Sequence, residues 1–138
     1  MSSLPNVLGI IICERILVDV LRQEAVSCVN IHNGFATSSF PVILPLIYAY
    51  AQVSGSHEEF TYQYRILDHD SKELAQSPLA KVEPLPNSNM LHKLISAIPG
   101  LRFDDEGTYN FILELNGVKV SHLPFYVVKV DATGEVLA

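Results

Sequence analysis

The chain has 138 residues and a formal net charge of −6, with nine Lys and Arg residues scattered along it. This length is that of one domain and is enough to bury a hydrophobic core without a disulfide or a metal. Because no basic run is present, the composition excludes a surface built to bind nucleic acid phosphates or anionic membranes. Charged residues make up 17% of the chain, against about 25% in typical soluble domains. Either a partner or second copy covers part of the surface, or Ser, Asn and Thr coat it; both explanations remain open.

The N-terminal apolar stretch, residues 7–13, is too short to span a bilayer. No Lys or Arg precedes it, and Glu14 and Arg15 follow in place of a small-residue cleavage site. We therefore predict a buried strand and a cytoplasmic protein. The two cysteines, Cys13 and Cys28, are expected to be free buried thiols, with a disulfide between neighbouring strands as the alternative.

Short β-rich runs separated by turn residues predict an all-β fold. The first strands are predicted at residues 7–18, 25–31 and 42–53. Pro45 cannot donate a ladder hydrogen bond, so the third strand is predicted to lie at a sheet edge or to contain a bulge.

Tyr48 and Tyr50 share one face of this third strand, and small aliphatic residues occupy the other. If the aliphatic face packs inward, both tyrosines point outward and form a candidate interface, because tyrosine is enriched at interfaces. The alternative is that the tyrosines face the core.

The fourth strand, residues 60–67, alternates strictly, which predicts a half-buried strand with an aromatic inner face. The residues predicted to face inward are Phe60, Tyr62, Tyr64 and Ile66. A turn at residues 68–73, a weaker strand at 79–82, a Pro/Asn/Ser loop at 83–89 and a strand at 90–98 follow.

The last hairpin is predicted around Asn116 and Gly117, since both central residues of a type I′ turn need a positive φ. Counting outward from this turn places Glu114 opposite Lys119 and Phe111 opposite His122, which would then be a buried, hydrogen-bonded histidine. A separate final strand is predicted at residues 125–130, and residues 131–138 are expected to be a loosely ordered tail.

The stretch D-E-G-T-Y-N-F, residues 105–111, has the pattern of a tyrosine corner. Gly107 permits a sharp turn, Asp105 can bind loop amides, and the Tyr109 hydroxyl is expected to reach a backbone group upstream. Phe111 stands where antibody domains have a cysteine, and the chain has no tryptophan. We predict one domain, residues 1–138, with an immunoglobulin-like antiparallel β-sandwich of about seven to nine strands.

Several segments together resemble a family of small, uncharacterised bacterial β-sandwich proteins. They are I-I-I-C-E at residues 10–14, S-F-P at 39–41, R-I-L-D-H-D at 65–70, G-L-R-F-D-D-E-G-T-Y-N-F at 100–111 and L-P-F-Y-V at 123–127. The resemblance implies the sandwich fold and a bacterial, intracellular setting. It implies no activity, cofactor or site residue.

No motif for catalysis or metal binding is present in the sequence. The five histidines lie on separate segments without the spacing of common metal sites. The segment at Asp68 to Ser71 lacks the glycine and glutamate of a calcium loop, and no G-x-S-x-G occurs. We therefore predict no catalytic, cofactor-binding or metal-binding residue and no cofactor.

The leading functional hypothesis is a non-catalytic interaction or scaffold domain that self-associates and binds neither nucleic acid nor membrane. The alternative is a binder of small molecules or peptides, with a cavity lined by Tyr62, Tyr64 and His92. An enzyme, with a cluster of titratable residues that assembles only in the fold, is the third hypothesis.

Overall fold

The computed structural model describes residues 4–22, 25–87 and 89–131, and these residues form strands and loops. The ten strands are β1 (Val7–Val18), β2 (Val26–His32), β3 (Gly34–Thr37), β4 (Val42–Ser54), β5 (Phe60–Leu67), β6 (Glu73–Gln76), β7 (Ala80–Val82), β8 (Leu91–Phe103), β9 (Gly107–Leu115) and β10 (Val118–Lys129). Within the described ranges, no helix is long and apolar enough to cross a bilayer. The expected tail, residues 131–138, lies outside the described residues except for Asp131.

The strands form two sheets that face each other across one core. The first sheet has the order β2-β1-β4-β8, and the second has the order β3-β10-β9-β5-β6, with β7 also paired to β5. All pairs are antiparallel except β3 with β10. The neighbours β4–β8 and β5–β9–β10 correspond to the B–E and C–F–G strands of an immunoglobulin-like sandwich. The predicted fold class is confirmed, although the strands number ten and one pair is parallel.

Aromatic side chains fill the centre of the core. The rings of Phe103 and Phe125 are stacked with centroids 5.9 Å apart, and the ring of Tyr109 packs edge-on against Phe103 at 4.6 Å. These three residues come from β8, β9 and β10, so their contacts join the two sheets. Such aromatic pairs contribute about 0.5–1.5 kcal/mol beyond the area that they bury.

The predicted strands at residues 7–18 and 60–67 have the observed bounds of β1 and β5. Two short strands, β3 and β6, were not predicted. β3 has only four residues, and its parallel pairing with β10 depends on a close approach at Gly34. A side chain at Gly34 would overlap the carbonyl group of Tyr126.

The last two predicted strands are one strand, β10, which runs through Pro124. Proline is tolerated there because β3 pairs only with the stretch from Tyr126 to Lys129. At Pro124 the strand therefore has a ladder neighbour on one side only, β9.

The register predicted for the β9–β10 hairpin is right near the turn and wrong beyond it. Asn116 and Gly117 form the two-residue turn with φ of 50° and 76°, and Glu114 lies opposite Lys119. A bulge between Lys119 and Ser121 then shifts the register by one residue. His122 consequently lies opposite Ile112 and is exposed, which corrects the prediction of a buried core histidine.

The prediction that the strand carrying Tyr48 and Tyr50 lies at a sheet edge is wrong. From Tyr48 to Val53, β4 pairs with β1 on one side and β8 on the other. Pro45 lies in the preceding part of β4, which pairs only with β8, so the missing amide donor faces no strand there. The proline indicates a local edge and not the position of the whole strand.

The segment from Asp105 to Tyr109 joins β8 to β9. The Tyr109 hydroxyl donates to the carbonyl oxygen of Asp105 at 2.6 Å and lies 2.9 Å from its carboxylate oxygen Oδ1. Burial first, and then the Asp105 carboxylate, raises the pKa of Tyr109 to about 12. At Gly107, a side chain would come within 3.0 Å of the His69 imidazole. A buried ring is thus held to the loop by its one polar atom.

We expect Tyr109→Phe to lower the free energy of unfolding by about 1 kcal/mol, because the hydrogen bond from the buried Tyr109 ring to the Asp105 carbonyl is lost. Urea denaturation of the two proteins measures this change. Tyr126→Phe is the control, since Tyr126 is exposed on β10, and it should unfold like the wild type. Equal stability of Tyr109→Phe and the wild type would contradict a structural role for this hydroxyl.

Candidate functional site

The outer face of the first sheet is apolar in its central rows, and the row beyond Tyr50 carries Gln52 and Lys93. Directly opposite residues of an antiparallel pair share one face. The register therefore places two rows across the sheet: Ile31, Cys13, Tyr48 and Ala97, and then Ile11, Tyr50 and Ile95. We refer to these seven residues as the apolar outer face. None of them is charged.

The two tyrosines on this face differ in exposure. The small residues Ala49 and Ala51 are fully buried in the core, so Tyr48 and Tyr50 point to the opposite side of β4. Tyr48 is half-buried, whereas Tyr50 is only 7% exposed and its hydroxyl accepts a hydrogen bond from Gln52 Nε2 at 2.9 Å. The exposed apolar area is therefore supplied mainly by the neighbours of Tyr50.

Cys13 lies on the same face and is fully buried. Burial, and then the adjacent Cys28 thiol, raises the pKa of Cys13 to about 11. The thiol is thus protonated at neutral pH, which removes the thiolate that nucleophilic catalysis needs. Both cysteines are free. Cys13 therefore acts here as a small apolar residue in the sheet.

The outer face of the second sheet has the opposite character. Arg65 at its centre donates to Glu114 at 2.8 Å and also binds Glu73. Arg65 also donates to Gln76 at 2.9 Å. These carboxylates raise the pKa of the Arg65 guanidinium. The centre of one outer face is thus a hydrogen-bonded group of charges, and the centre of the other is apolar.

A hairpin arm extends the first sheet beyond the last β1–β4 pair, which is Cys13 with Tyr48. We define the arm as residues 15–22 and 25–29. Its apolar side chains are exposed, most of all Val20 at 87% and Leu21 at 90%. Asp19 fixes the turn by accepting from the backbone amides of Leu21 and Arg22.

A cavity of about 370 Å³ opens between the sheets at the base of this arm. We refer to it as the end cavity. The residues that line it are Ile12, Glu14, His32, Phe35, Leu44, Pro45, Leu46, Ile47 and Phe125. Seven of these nine are apolar, and the two polar ones, Glu14 and His32, bind each other with 3.1 Å between Oε1 and Nε2. Residues from both sheets therefore enclose an apolar space beside one fixed carboxylate.

Sequence reasoning did not single out Glu14 or His32 as a pair. Glu14 immediately follows an apolar run and His32 ends β2, which are weak signals on their own. Their contact depends on the β1–β2 register, which places Ile12 opposite His32 and so brings both side chains to the inner side of the sheet.

Tyr62, Tyr64 and His92, which the sequence suggests as the lining of a cavity, do not line the end cavity. The Tyr62 and Tyr64 hydroxyls each donate at 2.8 Å, to the carbonyl oxygens of Ile95 and Leu94. His92 Nε2 accepts from the Ser56 amide at 3.1 Å, and the His92 ring packs edge-on against Phe60. The two tyrosine hydroxyls therefore join the second sheet to β8 of the first, and His92 binds the loop after β4.

Elsewhere in the described residues, titratable side chains form ion pairs at the surface. Among residues 4–22, 25–87 and 89–131, no three His, Cys, Asp or Glu side chains are placed to hold a metal ion. His69 lies 3.9 Å from the Asp105 carboxylate and 3.7 Å from Asp70, on the exposed side of the Tyr109 loop. In the described parts of the chain, the apolar features with the geometry of a binding site are the outer face and the end cavity. A second cavity of about 320 Å³, lined by residues 4–6 and 54–58, is more polar.

The profile of the Family of unknown function (DUF6941) matches residues 9–128. The match spans nearly all of β1 and continues into the last residues of β10, so it includes both features. No curated protein matches the sequence.

We expect stability to fall below neutral pH because of His92. Burial lowers the pKa of His92 below its ordinary value of 6.5, so near pH 6 the unfolded chain binds a proton more readily than the folded one. The stabilisation is present above pH 6.5 and is lost as the pH falls through the lowered folded pKa.

Urea denaturation between pH 7.5 and 5.5 measures this loss. His92→Leu should be less stable at pH 7.5, because the Ser56 amide loses its acceptor, and should lose less stability on acidification than the wild type. His122→Leu, which changes an exposed histidine, is the control and should keep the wild-type pH dependence. An equal loss in His92→Leu and the wild type would show the assignment to be wrong.

Proposed function

We propose that this chain, which belongs to the DUF6941 family, is a non-catalytic interaction domain that self-associates through its apolar outer face. The observation that carries the proposal is the contrast between the two outer faces of the sandwich. Both sheets bury their inner faces in the same core. The outer face of the second sheet is centred on the ion pairs of Arg65, whereas the central rows of the first sheet are apolar. The first sheet needs a partner to remove its apolar side chains from water.

In a single copy of the chain, several residues of the apolar outer face are accessible to solvent. Ile31 is 57% exposed, Ala97 is exposed, and Ile11, Tyr48 and Ile95 are half-buried. Contiguous apolar area of this kind is uncommon on monomeric proteins and marks interaction sites. Burial of such area supplies about 25 cal/mol for each Å² removed from water.

A second copy is the partner that fits this chemistry best. A two-fold axis places the same patch on both subunits, and an uncharged patch meets its own copy without like-charge repulsion. Homodimer interfaces are also more apolar than the contacts of transient complexes. The low fraction of charged residues, 17%, agrees with a chain that covers part of its own surface.

The hairpin arm adds to the same surface. It continues β1 and β2 beyond the sandwich, and Leu17, Val20 and Leu21 on it are all exposed. If two copies pack face to face, the exposed apolar side chains of each arm can pack against the other copy. The proposed interface therefore comprises the apolar outer face with the arm at one end.

The proposal includes a bacterial, cytoplasmic setting. Cys13 and Cys28 are adjacent free thiols, and adjacent thiols persist in reducing compartments but are oxidised in exported proteins. The resemblance to bacterial proteins, noted from the sequence, supports the same setting. Cell fractionation with a tagged chain tests it.

Sedimentation velocity over a range of concentrations tests the assembly. We expect the wild type to have twice the chain mass of 15.3 kDa and to be insensitive to salt. Ile31→Lys and Ala97→Lys each place a charge inside the interface, which costs about 3–5 kcal/mol when the charge is buried unpaired. The dissociation constant should rise by more than a hundredfold.

Val118→Lys is the matched control, because Val118 is an exposed apolar residue on the other sheet. It should assemble like the wild type, and circular dichroism should show the same fold for all variants. A wild type that remains at 15.3 kDa at every concentration, or lysine variants that assemble normally, would contradict the proposal.

A further inference from the structure

We propose that the end cavity binds a small organic cation, an aliphatic or aromatic molecule that carries a primary ammonium group. The apolar body of the ligand would occupy the space between the sheets, and its ammonium group would bind the Glu14 carboxylate at the mouth. This site lies on the inner side of the first sheet and does not depend on self-association.

The walls determine the apolar part of the ligand. Ile12 and Ile47 contribute from the first sheet, and Phe35 and Phe125 contribute from the second. The volume of about 370 Å³ is at the small end of the range of roughly 300–1,000 Å³ for ligand pockets. The cavity therefore suits a short chain or a single ring more than a large cofactor.

The carboxylate at the mouth is held in one position by two donors. Asn30 Nδ2 donates to Glu14 Oε2 at 2.8 Å, and His32 Nε2 lies 3.1 Å from Oε1. These contacts, the one from Asn30 first, lower the pKa of Glu14. The Glu14 side chain is still 52% exposed, so the fixed negative charge remains accessible.

At the mouth of the cavity, the Glu14 carboxylate can still accept hydrogen bonds from a ligand. An ionised carboxylate accepts about four hydrogen bonds and donates none, and Asn30 and His32 use one on each oxygen. The bond to an ionised carboxylate requires that His32 Nε2 carries the proton, so its own donor is also used. A ligand group that donates several hydrogen bonds and carries a positive charge complements this arrangement.

The other charge classes fit poorly. The nine lining residues include no Lys or Arg, so a carboxylate or phosphate ligand would face Glu14 without a fixed cation. A neutral apolar ligand would cover the carboxylate and leave it with less water and no new donor, which is unfavourable. A primary ammonium group has three donors and no acceptor, like that of lysine.

Three six-carbon probes that differ only in the head group test this inference: hexylamine, 1-hexanol and hexanoate. Amide chemical shifts in ¹H–¹⁵N spectra give both the affinity and the location of binding. We expect hexylamine to shift the amides of Ile12, Phe35 and Ile47. It should bind at least about tenfold more tightly than hexanol, because its ammonium group forms a charge-assisted hydrogen bond with Glu14. Hexanoate should bind most weakly.

Glu14→Gln removes the charge and keeps the shape of the side chain. It should weaken hexylamine binding by about tenfold and leave hexanol binding unchanged. Glu58→Gln is the control, because Glu58 is exposed in the loop that follows the opposite end of β4, and it should bind hexylamine like the wild type.

The proposal is overturned if hexylamine and hexanol bind equally, if hexanoate binds best, or if no probe shifts these amides. The three titrations are made at one fixed protein concentration, because Ile12 and Ile47 adjoin the proposed interface and their amides also respond to assembly. Thermal melting of Glu14→Gln and Glu58→Gln, expected to match the wild type, ensures that any loss of binding is not a loss of fold.

Discussion

Side chains alternate between the two faces of a β-strand, and on β4 both of these faces are apolar. Ala49 and Ala51 face the core, so Tyr48 and Tyr50 must point to the outside of the first sheet. A one-residue slip would exchange the two sets. Burial of the inner face therefore leaves tyrosine and isoleucine on the outer one, and the surface chemistry of the first sheet depends on this.

The two sheets are held together in different ways along their length. At one end, the stacked rings of Phe103 and Phe125 fill the space between them. Towards the other end, the Tyr62 and Tyr64 hydroxyls reach across to β8 carbonyl groups. At the base of the hairpin arm, Phe125 has the end cavity on one side of it, between Ile12 and Ile47 of the first sheet and Phe35 of the second. The cavity faces inward and the apolar face outward, so one domain has room for two independent contacts.

Local chemistry explains which predictions from the sequence were right. Asn116 and Gly117 form the predicted turn because the positive φ values that it needs are a property of those two residues. The register beyond Lys119 was wrong, because a bulge inserts one residue and nothing in the local sequence marks it. Pro45 correctly indicated a missing ladder partner, but only for its own part of β4, and Tyr48 three residues later has strands on both sides.

The sequence by itself determined the fold class, most of the strands and the fact that Tyr48 and Tyr50 share one face of β4, since period and turn chemistry are local properties. Only the tertiary structure decided that β4 is central, that β3 pairs in parallel with β10, and that one outer face is centred on ion pairs while the central rows of the other are apolar. It also decided the end cavity, because Glu14 and His32 are 18 residues apart and meet only through the β1–β2 register. Strand order and register arise from long-range packing, which the pattern of a single strand does not encode.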